Sequence, residues 1–258
     1  MDLKGKNILV TGGGGFGVGD GICGVLRACG ARLLINELND ERAAAAAKKY
    51  PGALTKAADI GKAAELEALF AFAEKECGPL HGLVNNAGIG LSKAAHEATE
   101  QDFDKLYGVD VRGVWMASKL FVGQLLKHGI TGNIVNVSSV HAHSTIPGYA
   151  IYASAKSAVE GLTRGMAVEL GRQNIRVNAI APGYVHAEQN YELLRSWTDQ
   201  PEQWVEEYIF KEQVLHRKIE PEDCGHSVAF LLSDRSRCIT GQTLYIDCGT
   251  TIKLLGSI

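Results

Sequence analysis

Asn7-Ile8-Leu9-Val10-Thr11-Gly12-Gly13-Gly14-Gly15-Phe16-Gly17-Val18-Gly19 runs from a short apolar segment straight into a loop of glycines. Beyond it Ile22, Val25, Leu26 and Cys29 recur at i, i+3, i+4 and i+7, the spacing of one helix face. Strand, glycine turn and helix in that order open a dinucleotide-binding unit. Glycines let the backbone approach a pyrophosphate, which then sits on the positive end of the helix. A plain strand–helix turn also favours glycine, so the loop by itself does not decide the ligand. The next apolar run ends Leu34-Ile35-Asn36-Glu37-Leu38. An acid at that point accepts hydrogen bonds from the ribose hydroxyls of NAD and repels a 2′-phosphate. Neither Phe16 nor Leu38 brings a cation for that phosphate. Glu37 has a plainer reading as a solvated loop acid, but strand, loop, helix, strand and acid arriving in sequence favour NAD as the cofactor.

Outward from this unit, short β-rich runs alternate with helical patterns to the end of the chain. Strands are expected at 7–11, 32–36, 54–58, 83–85, 133–137, 176–180 and 243–246, and helices at 65–77 and 102–127. Several of the strands are continuous apolar runs, as strands covered on both faces are. The alternation specifies an α/β fold: a Rossmann-like, doubly wound parallel sheet of about seven strands with helices on both faces. No Pro/Ser-rich linker divides the chain, so residues 1–258 read as one dinucleotide-binding and catalytic domain. The segment at about 186–218 departs from the rhythm, with Tyr191, Trp197, Trp204, Tyr208 and Phe210 among many charges. It reads either as a substrate loop or as a helical pair packed on the core.

A net charge of −3 over 258 residues leaves no basic field for nucleic acid or an anionic membrane. No apolar run is long enough to cross a bilayer, and the opening Met1-Asp2-Leu3-Lys4-Gly5-Lys6 lacks the apolar stretch of a signal peptide. Six cysteines without a CxxC pair read as reduced thiols, two of them, Cys23 and Cys29, on a helix packing face. The expected location is the cytoplasm.

Tyr152 and Lys156 stand four apart in Tyr152-Ala153-Ser154-Ala155-Lys156, so on a helix they project from one face a turn apart. A phenol alone is a poor base at neutral pH, and a neighbouring ammonium together with an oxidised nicotinamide favours its anion. Tyr152 can then take an alcohol proton, or return one to a ketone. Ser139, thirteen residues earlier at the end of an expected strand, can hydrogen-bond the reacting oxygen.

With Asp59-Ile60, Asn85-Asn86-Ala87-Gly88, Ser138-Ser139, Asn178-Ala179-Ile180-Ala181-Pro182-Gly183 and Thr240-Gly241-Gln242 in this order, the chain resembles the short-chain dehydrogenase/reductases over nearly its whole length. The resemblance implies the same roles for Ser139 and Tyr152, and makes Lys156 a ligand of the nicotinamide ribose as well. It implies that Gly13, Gly15, Phe16, Gly17, Val18, Gly19 and Glu37 hold the dinucleotide, with Asp59 and Ile60 flanking the adenine. Asn86, Ala87 and Gly88 would line the cleft, and Pro182, Gly183 and Val185 would lie beside the nicotinamide amide. It also implies a homo-oligomer, a tetramer or dimer, to which an apolar end around Ile252, Leu254 and Leu255 would be suited.

Three places depart from the family's pattern. The glycine loop is one residue longer than TGxxxGxG, leaving open which of Gly12 and Gly13 meets phosphate. Asp110 stands where the family has a catalytic asparagine; it keeps the backbone carbonyl for a proton relay, adds a charge, and leads us to expect a shifted pH optimum. Ala187 replaces a threonine that would bond the carboxamide, a loss that His186 is placed to offset. Tyr149, seven before Lys156, has the spacing of the enoyl-reductase branch, but Tyr152 carries the dehydrogenase spacing with Ser139 in register.

The substrate pocket is expected to draw on Val140, His141, His143 and Ser144, on Pro147 to Tyr149, and on the segment from His186. Among these, His141, Tyr149 and His186 are the candidates for direct contact. His141 and His143 alternate like extended residues, and no further ligands at metal spacing accompany them, so no metal is expected. Histidines and arginines near the mouth point to a polar small molecule such as a sugar, polyol or sugar acid. A steroid or 3-hydroxyacyl substrate, or a non-catalytic NAD-binding regulator, are the alternatives.

Overall fold

The computed structural model describes residues 1–253, without the side chains of Gln189 and Leu193. One parallel sheet of seven strands runs in the order β3-β2-β1-β4-β5-β6-β7. The strands are β1 (Asn7–Thr11), β2 (Arg32–Glu37), β3 (Leu54–Ala57), β4 (Gly82–Asn85), β5 (Asn133–Val137), β6 (Arg176–Pro182) and β7 (Thr243–Ile246). Between them come α1 (Val18–Ala28), α2 (Asp40–Lys49), α3 (Ala63–Cys77), α4 (Glu100–Tyr107), α5 (Val114–His128) and α6 (Ala150–Leu170). After β6 come α7 (Glu188–Arg195), α8 (Pro201–Glu212) and α9 (Pro221–Leu232).

Continuous apolar strands cannot leave a face in water, and two buried clusters cover the sheet. Alternate residues of one strand go to opposite faces. Ile8 and Val10 of β1 join Ile22 and Leu26 of α1 and Val228 of α9. Leu9 between them joins Leu66 and Leu69 of α3 and Phe121 and Leu125 of α5. The order reverses at β1, which pairs with β2 on one side and β4 on the other. A crevice for a ligand opens at the carboxyl ends of strands flanking such a switch point. Thr11 at the end of β1 ties the two lips together: its Oγ1 accepts the N–H groups of Asn86 and Ala87 at 3.1 and 3.0 Å.

Three local expectations are corrected. The stretch 102–127 is not one α-helix; Gly108–Gly113 forms a π-helical turn between α4 and α5. The wider turn brings the Asp110 carboxylate inward to accept the Ile89 N–H at 2.8 Å, and such turns gather at functional sites. Residues 140–142 are not extended but form a 3-10 turn, capped by Ser139 Oγ accepting from His141 N–H at 3.3 Å. Glu37 and Pro182 lie inside β2 and β6 rather than beyond them. Cys29, the half-buried C-cap of α1, packs against the core cluster that contains Cys23, as a helix packing face requires.

The segment 186–218 holds α7 and α8. It leaves the sheet at Val185 and returns at Ile219, which form a single parallel bridge, with His186 N–H donating to Ile219 O at 2.7 Å. Among the described residues all six cysteines are free, and no helix is long and apolar enough to cross a membrane. Leu254 and Leu255, expected to contribute an apolar end, lie outside the described residues.

Candidate active site

The glycine loop is held from below. Glu37 is 4% exposed and its Oε1 accepts the Gly14 N–H at 2.6 Å, so it is not a solvated loop acid. Gly13 is buried, and a Cβ there would fall 2.7 Å from Cys23 Sγ. Gly13 thus packs against α1 and the sheet at a point where no side chain would fit. Gly15 has nothing within 4 Å of a Cβ position, and Phe16 is 70% exposed, so the crest of the loop is open. No side chain caps α1, whose N-cap is Gly17. The amides of Val18 and Gly19 stand in its first turn, where helix N–H groups have no intrahelical partner. This free positive helix end under an open glycine crest fits a pyrophosphate.

Gly19 is where the loop and β4 meet most closely. A Cβ there would lie 2.2 Å from Gly12 O and 2.5 Å from Asn86 Nδ2, and the backbone carbonyl cannot yield. Gly19→Ala is expected to lose NADH affinity by at least about tenfold in a fluorescence titration. Gly24→Ala in the same helix, where nothing lies within 4 Å, is the control: affinity unchanged, stability equal or raised by up to about 1 kcal/mol.

Asn86 donates from Nδ2 to Thr11 O and Gly12 O at 3.0 and 2.8 Å, which fixes the turn after β4. Asp59 comes just after β3, with Oδ1 accepting the Gly61 N–H at 2.9 Å, and Ile60 beside it is buried. Gly183 packs on Asp247 at the end of β7, and Val185 is buried at the bridge that closes the excursion.

α6 sets Lys156 at the carboxyl end of β5 and the Tyr152 ring beside His141, two residues past Ser139. Lys156 is 6% exposed, and its Nζ lies 5.5 Å from the centre of the Tyr152 ring. It donates to Val137 O at 3.3 Å and meets Asp110 Oδ2 at 3.0 Å. The second contact is charge on charge rather than a well-aligned hydrogen bond. Asp110 is 0% exposed. Burial alone would push the Lys156 ammonium down, but Tyr152 and Asp110 outweigh it and the pKa is raised. Gly88 closes the site from the β4 side; a Cβ there would lie 3.0 Å from Asp110 Oδ2 and 3.3 Å from Lys156 Nζ. Ser139 Oγ accepts from His141 N–H, which leaves its own proton for another acceptor.

His141 stacks on Tyr149 with ring centres 4.7 Å apart and stands edge-on to Tyr152 at 5.7 Å. Burial lowers its pKa, and Nδ1 pairs with Thr145 Oγ1 at 2.9 Å. Tyr149, at the N-cap of α6, stacks on His141 and stands edge-on to Tyr152 at 6.0 Å, while the Tyr152 ring faces the ammonium. His143 lies apart, edge-on to Tyr245 at 6.0 Å. In the excursion, His186 stands edge-on to Tyr191 at 5.0 Å, with Nδ1 buried and without a hydrogen-bond partner. Ala187 is buried and offers no side-chain donor.

Sequence reasoning missed Tyr184, Trp204 and Tyr208 as one group. Trp204 stacks on Tyr208 at 5.3 Å, and Tyr184 stands 5.6 Å from both. The Tyr184 hydroxyl is buried without a partner, and burial pushes its pKa up to about 12. Lys49 was missed as well: its ammonium reaches Gly15 O at 3.4 Å from the end of α2, thirty-four residues along the chain. Nothing in a lysine at a helix C-terminus, the ordinary place for one, signals that contact.

A family model described as enoyl-(acyl carrier protein) reductase matches residues 14–251. Carbonyl reductase [NADPH] 2 of Sus scrofa is 33% identical over 249 residues, covering 96% of this chain and 98% of the relative. 2-(S)-hydroxypropyl-CoM dehydrogenase 3 of Xanthobacter autotrophicus is 37% identical over 254 residues, covering 96% and 98%. The crystal structure of a gluconate 5-dehydrogenase from Burkholderia cenocepacia, in complex with NADP and tartrate, superposes with a TM-score of 0.89 at 30% identity, covering 98% of each chain. That of levodione reductase gives 0.88 at 32% identity, covering 97% of this chain and 99% of the other. This chain belongs to the short-chain dehydrogenase/reductase family and is an oxidoreductase that acts between alcohol and carbonyl groups.

Proposed function

We propose that the protein is an NAD(H)-dependent dehydrogenase/reductase interconverting a secondary alcohol and a ketone on a polar small molecule such as a sugar, polyol or sugar acid. The observation that carries the chemistry is the convergence of Ser139, Tyr152 and Lys156 at the carboxyl end of β5. When bound, the nicotinamide would supply the hydride acceptor for oxidation and the hydride donor for reduction. Tyr152 takes the hydroxyl proton of the alcohol during oxidation and returns it during reduction. Ser139 donates its free proton to the reacting oxygen and so fixes its position. Lys156 Nζ donates to Val137 O and lies against the Asp110 carboxylate, which leaves donor capacity for the cofactor ribose. On this reading the amides of Phe16 to Gly19 hold the pyrophosphate, Asp59 and Ile60 flank the adenine, and Asn86, Ala87, Gly88, Pro182, Gly183 and Val185 line the cleft.

NAD rather than NADP is supported by charge. Glu37 is buried against the loop where a 2′-phosphate would arrive. Lys49, whose ammonium reaches the loop crest, is already paired with Asp20 at 2.6 Å. His141, Tyr149 and His186 are the substrate contacts of this reading, and the polar edges of two of them favour a hydroxylated substrate. The gluconate 5-dehydrogenase is a relative named for such a substrate, though its structure holds NADP. A homo-oligomer working in the cytoplasm completes the reading, with Trp115 and Val168 exposed by 44% and 84% as candidate interface residues.

The test monitors absorbance of the reduced nicotinamide with NAD and with NADP over sugars, polyols, sugar acids, steroids and hydroxyacyl esters. The expected result is turnover of a polyol or sugar acid with kcat/KM at least about tenfold higher for NAD, a difference of about 1.4 kcal/mol. A preference for NADP would overturn the reading of Glu37, and turnover confined to steroids or acyl esters would overturn the substrate class.

A further inference from the structure

The lengthened glycine loop does not stand free but leans on α2. A Cβ at Gly14 would lie 2.3 Å from Ala46 Cβ, and one helical turn further on Lys49 reaches the next two loop residues. Its ammonium contacts Gly15 O at 3.4 Å and lies 4.9 Å from the centre of the Phe16 ring. The same ammonium pairs with Asp20 Oδ1 at 2.6 Å in the first turn of α1, and Tyr50 Oη donates to that carboxylate. A single cation therefore joins the loop carbonyl, the loop ring and the helix whose free N-terminus faces the crevice.

As a surface ion pair, with Lys49 38% and Asp20 24% exposed, this contact would add little to stability. Its partners are what set it apart. Residues 15 and 16 are the crest of the loop, and the amides beyond them must hold a fixed direction for a phosphate to gain from them. With Gly14 N–H already occupied by Glu37, the crest is pinned at residue 14 from β2 and at residues 15 and 16 from α2. The extra loop residue, which alone would add slack, is taken up by this second pin.

We propose that Lys49 is a positioning residue for cofactor binding, clamping Gly15 and Phe16 onto α2 so that the amides from Gly17 to Gly19 are preset for the dinucleotide pyrophosphate. This rests on the reading of the glycine loop as the dinucleotide site. Lys49 touches none of the reacting groups, so its loss acts on affinity and leaves the chemical step alone.

NADH titration by fluorescence and steady-state kinetics would be run on the intact protein, on Lys49→Met and on Lys49→Arg, with thermal unfolding alongside. Lys49→Met is expected to raise the NADH Kd and the NAD KM by about tenfold while kcat at saturating cofactor stays within about twofold. Lys49→Arg, which keeps the cation, is expected to restore most of the affinity. Phe16→Ala provides a second route that leaves Lys49 and Asp20 in place, and is expected to weaken NADH in the same direction. Wild-type protein that binds no dinucleotide would overturn the site reading itself. Wild-type protein that binds NADH, with Lys49→Met and Phe16→Ala binding equally well, would overturn the clamp alone. A loss of kcat matching the loss of affinity would overturn it too.

Discussion

Tyr152→Phe is expected to lower kcat by about 10²- to 10⁴-fold, the usual contribution of a positioned proton-transfer group, while NADH affinity stays within about twofold of wild type. The substitution is narrow. Phenylalanine keeps the ring that stands edge-on to His141 at 5.7 Å and to Tyr149 at 6.0 Å, and that lies 5.5 Å from Lys156 Nζ. Only the hydroxyl goes, so folding and cofactor binding serve as internal controls. Stopped-flow single turnovers with bound cofactor separate the chemical step from release. A variant retaining more than about a tenth of the wild-type single-turnover rate would show that another group moves the proton. Tyr149→Phe is the comparison that settles which tyrosine does. It is engaged with His141 rather than with the ammonium, so it is expected to change KM for the substrate and leave the chemical step in place.

The sheet was legible in the sequence because its central strands are buried on both faces and several read as apolar runs. Ile8, Leu9 and Val10 need cover on both sides, which helices packed on both faces of a parallel sheet supply. Strand ends were less legible. Glu37 is polar, and periodicity places it outside β2, yet the Gly14 amide gives its carboxylate a buried partner and the strand continues through it. The broken helix at Gly108–Gly113 was hidden for a related reason. The helical pattern passes through Asp110 unchanged, and only the distant Ile89 amide and Lys156 ammonium, which arrive with the fold, draw the carboxylate inward. At the site, spacing of four within α6 was enough to set Tyr152 beside Lys156. The contacts made by Lys49, and by Tyr184 with Trp204 and Tyr208, join separate elements, so no local pattern in the sequence carries them. Gly13 illustrates the converse: its glycine was visible, but whether it serves a phosphate or the packing of Cys23 depends on where α1 lands.

The buried Asp110–Lys156 pair carries the largest expected effect on stability. Lys156→Met removes the cation and leaves a carboxylate that is 0% exposed; its Oδ1 still accepts the Ile89 N–H, but Oδ2 faces an apolar chain. Breaking a buried pair by removing one partner typically costs about 3–5 kcal/mol, which urea unfolding would show as a lower midpoint with an unchanged slope. Asp110→Asn should also destabilise, because it strands the ammonium with Val137 O alone. If the cost comes from uncompensated charge, the double variant Asp110→Asn/Lys156→Met should recover most of it, since neutralising both partners of a buried pair is often close to neutral. Additive losses in the double variant would instead assign the cost to packing around Gly88. The alkaline limb gives an independent check. Folding raises the Lys156 pKa above its ordinary 10.5, so its stabilisation is complete below that pH and fades as pH climbs through the folded value. Wild-type protein should therefore lose stability above about pH 10.5 more steeply than Lys156→Met, in which this titration is absent. Equal alkaline slopes in the two proteins would mean that the pair does not hold the proton on Lys156.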